Sequence, residues 1–178
     1  SNEVREMATL LRTAISKQAT LVWELESDLP PVKADATQIR QIVMNLITNA
    51  SDALQKAGGA ITLRTGVLDR SQLHQPGFAS LIGDAESTAD GSEEMVYLEV
   101  HDTGAGMTAE TAAHIFEPFF TTKEQGKGTG LGLSTVYGIV EQSHGHVHVQ
   151  SEIGRGTTIT IHLPRVEEPL PGPPASWP

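Results

Sequence analysis

Residues 41–54 read QIVMNLITNASDAL. Ile39, Ile42, Val43, Leu46, Ala50, Ala53 and Leu54 recur every three or four residues, the spacing of a helix with one buried face. Asn45, Asn49 and Asp52 fall on a neighbouring stripe, because residues three and four apart stack on one side. Asn is a mediocre helix former, so two of them at i, i+4 in a helix interior call for a reason. A polar edge beside a packed face is one reason; a ligand site is the other.

Working outward, Asp35 is placed to cap this helix and Gly58-Gly59 to stop it. Before it, Leu21, Trp23 and Leu25 alternate with Val22, Glu24 and Glu26 as a strand that Pro30-Pro31 ends. Further upstream, Val4, Met7, Leu10, Leu11, Ala14 and Ile15 predict an amphipathic helix over residues 3–17 that exposes one apolar stripe. After it, residues 61–67 read as a strand, and residues 69–94 as a long surface loop rich in Gly, Pro, Ser and Asp. Val96, Leu98 and Val100 alternate as a third strand that runs into Asp102-Thr-Gly-Ala-Gly106-Met. A short helix over residues 109–115, the segment FEPFF (116–120) and a loop rich in Gly, Thr and Lys follow. Leu131, Leu133, Val136, Tyr137, Ile139 and Val140 form another helix, which Gly145 is expected to end. Val147 and Val149, a Gly154-Arg-Gly156 turn, and Ile159, Ile161 and Leu163 make a closing hairpin. This order suits an α+β fold, a two-layer sandwich whose mixed sheet is covered on one face by about three helices.

Composition narrows the function. The 178 residues suffice for one well-buried domain, no apolar run approaches a membrane span, and there is no Cys to build a disulfide or thiolate metal site. A net charge of −10 argues against a nucleic-acid surface. Between Arg70 and Arg155 the only cations are Lys123 and Lys127, both in the glycine-rich loop. An anionic ligand would need them, or oriented N–H groups, or a metal.

The loop Gly126-Lys-Gly-Thr-Gly-Leu-Gly132 precedes a helix, where close backbone N–H groups and the helix dipole favour an anion such as a triphosphate. It is neither a Walker loop nor a dinucleotide fingerprint, since Lys127 is followed by Gly128 and no strand leads into it. The alternative is a loop with a helix start and solvated lysines. Asp102, at a strand end, accepts hydrogen bonds only, so it would pair with the adenine amine and repel the guanine carbonyl. Its alternative is an Asp that stabilises a tight turn. Asn49 offers a carbonyl oxygen suited to Mg²⁺, which takes few protein ligands and completes its shell with water and phosphate. Asn45 could hold a water or a phosphate oxygen, but an amide is no general base at neutral pH. His144, His146 and His148 alternate and could line a metal site; solvent-facing positions on a sheet are the expected reading.

Five segments together resemble the ATP-binding catalytic domain of sensor histidine kinases, in the Bergerat-fold superfamily that also contains gyrase, the Hsp90 chaperones and MutL. NLITNASDA (45–53) is similar to that family's asparagine box, DTGAGM (102–107) to its first glycine box, and FEPFFTTK (116–123) to its phenylalanine box. GKGTGLGLSTV (126–136) is similar to the second glycine box, and SEIGRGTTITIHLP (151–164) to the closing hairpin. The phenylalanine box resembles the nitrogen-regulation and hybrid-kinase subgroup.

The resemblance implies ATP and Mg²⁺ as ligands. It places Mg²⁺ on Asn49, Asn45 near the phosphates, and Asp102 on adenine, with Gly104 and Gly106 shaping the pocket and Thr157 near the base. A mobile lid carrying Phe119, Phe120, Lys123, Lys127, Gly128, Thr129, Gly130, Leu131 and Gly132 would run along the triphosphate. Related hydrolytic ATPases carry a Glu where this chain has Asn45, so phosphoryl transfer to a protein is implied over hydrolysis. A hydrolytic Bergerat ATPase, a nucleotide-binding regulatory module and a serine-kinase relative are the alternatives. None of the seven His residues has the acceptor context of such kinases. The resemblance therefore implies a catalytic fragment: residues 1–19 as a junction to a dimerisation domain bearing the acceptor His, residues 20–164 as the ATP-binding domain, and residues 165–178 as a Pro-rich linker. It further implies a response regulator or receiver domain as partner, a cytoplasmic location, no nucleic-acid or direct membrane contact, and a monomeric fragment.

Overall fold

A computed structural model describes residues 4, 6–7, 11, 15–54, 58–69, 71, 80–82, 94–123 and 128–166. Among the described residues, six strands and the three helices given below make one two-layer sandwich. The strands are β1 (Ala19–Leu25), β2 (Gly59–Asp69), β3 (Ser80–Ile82), β4 (Glu94–Asp102), β5 (His146–Glu152) and β6 (Gly156–Pro164). The helices are α1 (Ala36–Leu54), α2 (Ala109–His114) and α3 (Gly132–Gln142). The sheet order is β1-β2-β4-β6-β5-β3. β1 runs parallel to β2 and every other pairing is antiparallel, so the sheet is mixed, as expected.

α1 forms where its periodicity predicts. Asp35 Oδ1 accepts from the Thr37 and Gln38 amides at 2.7 and 3.2 Å, satisfying two of the N–H groups that a helix start leaves open. Those amides, Gln38 first, hold the Asp35 carboxyl below the usual carboxylate range. The buried face carries Ile42, Val43, Leu46, Ile47, Ala50, Ser51 and Leu54. It packs with Val136, Ile139 and Val140 of α3 onto Ile61, Leu63, Leu98, Val100, Ile159 and Ile161 of the sheet. Each such side chain contributes about 1.5–3 kcal/mol on burial, which is what holds the two layers together.

Four details depart from the sequence expectations. The stretch 69–94 is not loop throughout: β3 lies within it and pairs with the edge of β5. Val4, Met7 and Leu11 do not present an apolar stripe to solvent, because they are buried in this domain's own core at 3, 2 and 0% exposure. α3 is ended by His144 rather than by Gly145: His144 takes the left-handed conformation at φ 54, and the Gly145 amide bonds back to the Val140 carbonyl at 2.9 Å. Gly145 serves packing instead, since a Cβ there would lie 2.4 Å from the His162 carbonyl oxygen.

The fourth departure concerns the sheet face turned away from the helices. His146 and His148 are buried there, at 7 and 5% exposure, while His144 lies outside the strand and is exposed. His162 of β6 pairs in register with His146 and is 1% exposed. No group of three or more His, Asp or Glu placed to hold a metal exists among the described residues. Toward the β1 edge the same face is polar, with Arg64 Nη1 donating to Glu99 Oε1 at 2.8 Å and Arg64 Nε paired with Glu24.

Candidate nucleotide-binding site

The C-terminal half of α1, the loop after β4, the β5–β6 hairpin and the N-terminus of α3 converge at one end of the sandwich. Backbone contacts build this end. The Ala105 amide donates to the Ala53 carbonyl at 3.1 Å, docking the loop after β4 on the last turn of α1. The Gly154 amide donates to the Ala105 carbonyl at 2.8 Å, docking the hairpin on the same loop. These approaches leave no room for side chains. A Cβ on Gly104 would lie 2.6 Å from the Ala53 oxygen, and one on Gly106, whose φ is +65, would lie 2.0 Å from the Glu152 oxygen. Both glycines are thus required by protein packing, a role the sequence reading did not assign them.

Asp102 closes β4 and is 5% exposed. Its Oδ1 accepts from the Gly104 amide at 2.8 Å. Burial pushes its pKa up, and the backbone N–H groups of Gly104 and Thr157 oppose that shift. Thr157 is its register partner on β6 and is 6% exposed. The Thr157 hydroxyl lies 2.8 Å from the Ser151 hydroxyl, which also accepts from the Met107 amide at 2.9 Å. Ser151 therefore ties both halves of the pocket wall together. It was missed in the sequence, where its only signal is its place opposite Thr157 across the hairpin.

At the other end of the site, Asn45 Nδ2 donates to the Gly132 carbonyl at 3.1 Å, tethering the start of α3 to the middle of α1. A Cβ on Gly132 would only reach ordinary contact with Asn45 and Asn49, at 3.7–3.8 Å. Asn49 and Asp52 face Lys123: its Nζ donates to Asn49 Oδ1 at 3.3 Å and to Asp52 Oδ2 at 2.5 Å. Two oxygens held around a positive charge suit a hard divalent cation such as Mg²⁺, which would draw its other ligands from water and phosphate.

Between these ends, the Phe119 amide donates to the Gly130 carbonyl at 2.9 Å, closing the base of the loop they flank. Phe119 and Gly130 both hold positive φ, 68 and 66. A Cβ on Gly130 would lie 2.4 Å from the Phe119 carbonyl carbon. Phe119 is 75% exposed and Leu131 42%, whereas Phe120 is half-buried and tilts against the His114 ring at 5.9 Å. Gly128 lies beside Thr121 and the Lys123 stem, and the Thr129 hydroxyl accepts from the Leu131 amide at 3.3 Å. Lys127 lies outside the described residues.

A site that joins a helix Asn pair, a buried Asp before a Gly-x-Gly turn, and a glycine loop opening a helix defines a class of nucleotide-dependent domains. The chain belongs to the family described as histidine kinase-, DNA gyrase B- and HSP90-like ATPase, whose pattern matches residues 34–167. It is 44% identical to the sensor kinase CckA of Brucella abortus over 92% of this chain and 16% of that protein. It is 37% identical to the sensory histidine kinase/phosphatase NtrB of Rhodobacter capsulatus over 81% of this chain and 36% of that one. The fold is similar to the catalytic domain of histidine kinase ThkA in a nucleotide-free form, with a TM-score of 0.65, 27% identity and coverage of 92% of this chain and 91% of that one. It is also similar to full-length ShkA in complex with AMPPNP, with a TM-score of 0.67, 27% identity, and 95% and 31% coverage. The Bergerat-type sandwich expected from the sequence is thus the fold observed. The chain spans only about a sixth to a third of the length of these curated relatives.

Proposed function

We propose that this chain is the Mg·ATP-binding catalytic domain of a sensor histidine kinase, which presents the γ-phosphate of ATP to a His on a separate dimerisation domain. The observation that carries the proposal is the pairing of the buried, acceptor-only Asp102 at one end of the site with the oxygen-and-cation cluster Asn49–Asp52–Lys123 at the other. Asp102 suits the adenine amine. Thr157 and Ser151 hold the wall beside it, and Gly104 and Gly106 let that wall close. Asn49 would hold Mg²⁺, which supplies charge neutralisation at the phosphates. Gly128, Thr129, Gly130, Leu131 and Gly132 would lie along the triphosphate, with Lys123 and Lys127 as the local cations, and Phe119 and Phe120 at the base of the lid.

What the residues contribute to phosphoryl transfer is position and electrostatics. Asn45 is an amide, tethered to Gly132, and cannot take a proton from water, which favours transfer to a protein over hydrolysis. Residues 1–19 would join the dimerisation domain, and residues 165–178 would lead onward as a linker. The partners would be that dimerisation domain and a response regulator or receiver domain, with the isolated fragment monomeric and cytoplasmic. No described helix is long and apolar enough to cross a membrane.

Calorimetric titration of a non-hydrolysable ATP analogue, with and without Mg²⁺ and with GTP as control, tests this. Adenine-selective binding strengthened by Mg²⁺ is expected. Equal affinity for the guanine nucleotide, or no binding, would overturn it.

A further inference from the structure

The cluster at Lys123 has a property that an ordinary surface ion pair lacks. Its ammonium bridges a neutral amide oxygen, Asn49 Oδ1 at 3.3 Å, and a carboxylate, Asp52 Oδ2 at 2.5 Å. These two acceptors sit three residues apart on one helix face, and the donor comes from a segment more than 70 residues away. The loop packs closely against this side chain: a Cβ on Gly128 would lie 3.1 Å from Lys123 Cδ and 2.8 Å from the Thr121 hydroxyl, so any larger residue there would press on both side chains. The pair is also displaceable. Lys123 and Asp52 are 35 and 49% exposed, and pairs of that kind hold by at most about 1 kcal/mol. Asn49 Oδ1 is the oxygen that the proposed function gives to Mg²⁺.

We infer that Lys123 is an internal stand-in for the divalent cation: Asn49 Oδ1 and the Asp52 carboxylate hold one cation at a time, the Lys123 ammonium without nucleotide and Mg²⁺ with ATP. This inference rests on the nucleotide-binding proposal above. It makes Asp52 part of the cation site, as the charged member of the oxygen pair, and Lys123 leaves that pair when the metal enters. An ammonium is a compact point charge on a flexible four-carbon stem, which suits it to such an exchange. One physical consequence follows. The protein keeps some metal-free affinity for ATP, because a cation is already at hand beside the phosphates.

The test is the ratio of dissociation constants for the non-hydrolysable ATP analogue without and with Mg²⁺, measured by calorimetry. Lys123→Met removes the charge and keeps the length. It should weaken metal-free binding by about tenfold and Mg²⁺-loaded binding by less than about threefold, so the ratio rises. Asp52→Asn should move the ratio the other way, by weakening the Mg²⁺-loaded complex and easing the metal-free one. Lys33→Met makes the same charge change near the far end of α1, about 20 Å away along the helix, and should leave the ratio unchanged. Equal losses with and without Mg²⁺ in Lys123→Met, or an unmoved ratio in both site variants, would overturn the exchange and leave the nucleotide proposal standing. A wild-type protein that binds no nucleotide in either condition would overturn both.

Discussion

Lowering the pH from 7.5 to 5.0 should cost this domain about 2 kcal/mol of stability through one buried side chain. His162 is 1% exposed, and burial, followed by the charges of His148 and His146, depresses its pKa from 6.5 to about 4. Across the register it faces His146 of β5 and Tyr97 of β4, and the next row carries His148 and Glu99. The sign follows from linkage. Above pH 6.5 the imidazole is neutral whether the chain is folded or not, and stability is complete. As the pH falls below 6.5 the unfolded chain takes up a proton that the folded chain refuses, so stability is lost until the pH reaches about 4. The full shift corresponds to ~3 kcal/mol, of which ~2 kcal/mol has gone by pH 5.0. Urea unfolding followed by Trp23 fluorescence, at pH 7.5 and 5.0, should show this loss in the wild type and most of it missing in His162→Gln. The comparison removes other groups: His114, raised by its hydrogen bond to Glu117, acts in the opposite direction and is the same in both proteins. Equal losses in the two proteins, within about 0.5 kcal/mol, would refute a buried neutral His162 as the source.

Asp102→Asn should weaken ATP binding tenfold or more, about 1.4 kcal/mol, because an amide presents a donor where the adenine amine needs an acceptor; unchanged affinity by calorimetry would remove Asp102 from base recognition. Gly106→Ala should destabilise the fold by about 2 kcal/mol or more, since a Cβ 2.0 Å from the Glu152 oxygen at φ +65 can be accommodated only by backbone movement. A melting temperature within about 1 °C of wild type would contradict that packing. Ser151→Ala should cost about 1–3 kcal/mol in urea unfolding by leaving the Met107 amide without its acceptor, and should weaken ATP more than it weakens free triphosphate. Equal weakening of both ligands would place Ser151 away from the base.

Much of the architecture was legible because periodicity reports burial directly. Leu21, Trp23 and Leu25 alternate in burial as they do in the chain, and the face of α1 is the one its spacing predicted, with Ile47 and Ser51 added and Ile39 and Ala53 only half-buried. β3 was not legible, because three residues carry too little pattern to stand out from a loop. The buried His pair on β5 was misread for a related reason. Alternation says that His146 and His148 share a face, but not whether something covers that face.

The site divides along the same line. Asn45 and Asn49 stood out as poor choices for a helix interior, Asp102 as an acceptor-only group at a strand end before a Gly-x-Gly turn, and Lys123 as one of only two Lys or Arg residues between Arg70 and Arg155. Ser151 did not, since a serine in a hairpin strand violates nothing local. The sequence by itself determined the elements other than β3, the fold class and the chemical kinds of group at the site, because propensity and periodicity act over a few residues. Only the tertiary structure decided which groups meet. The contact of Lys123 with Asn49 and Asp52, the Asn45 tether to Gly132, and the clash that reserves Gly106 for glycine all join segments tens of residues apart. Such contacts are set by how two layers close on one core, and no local pattern encodes them.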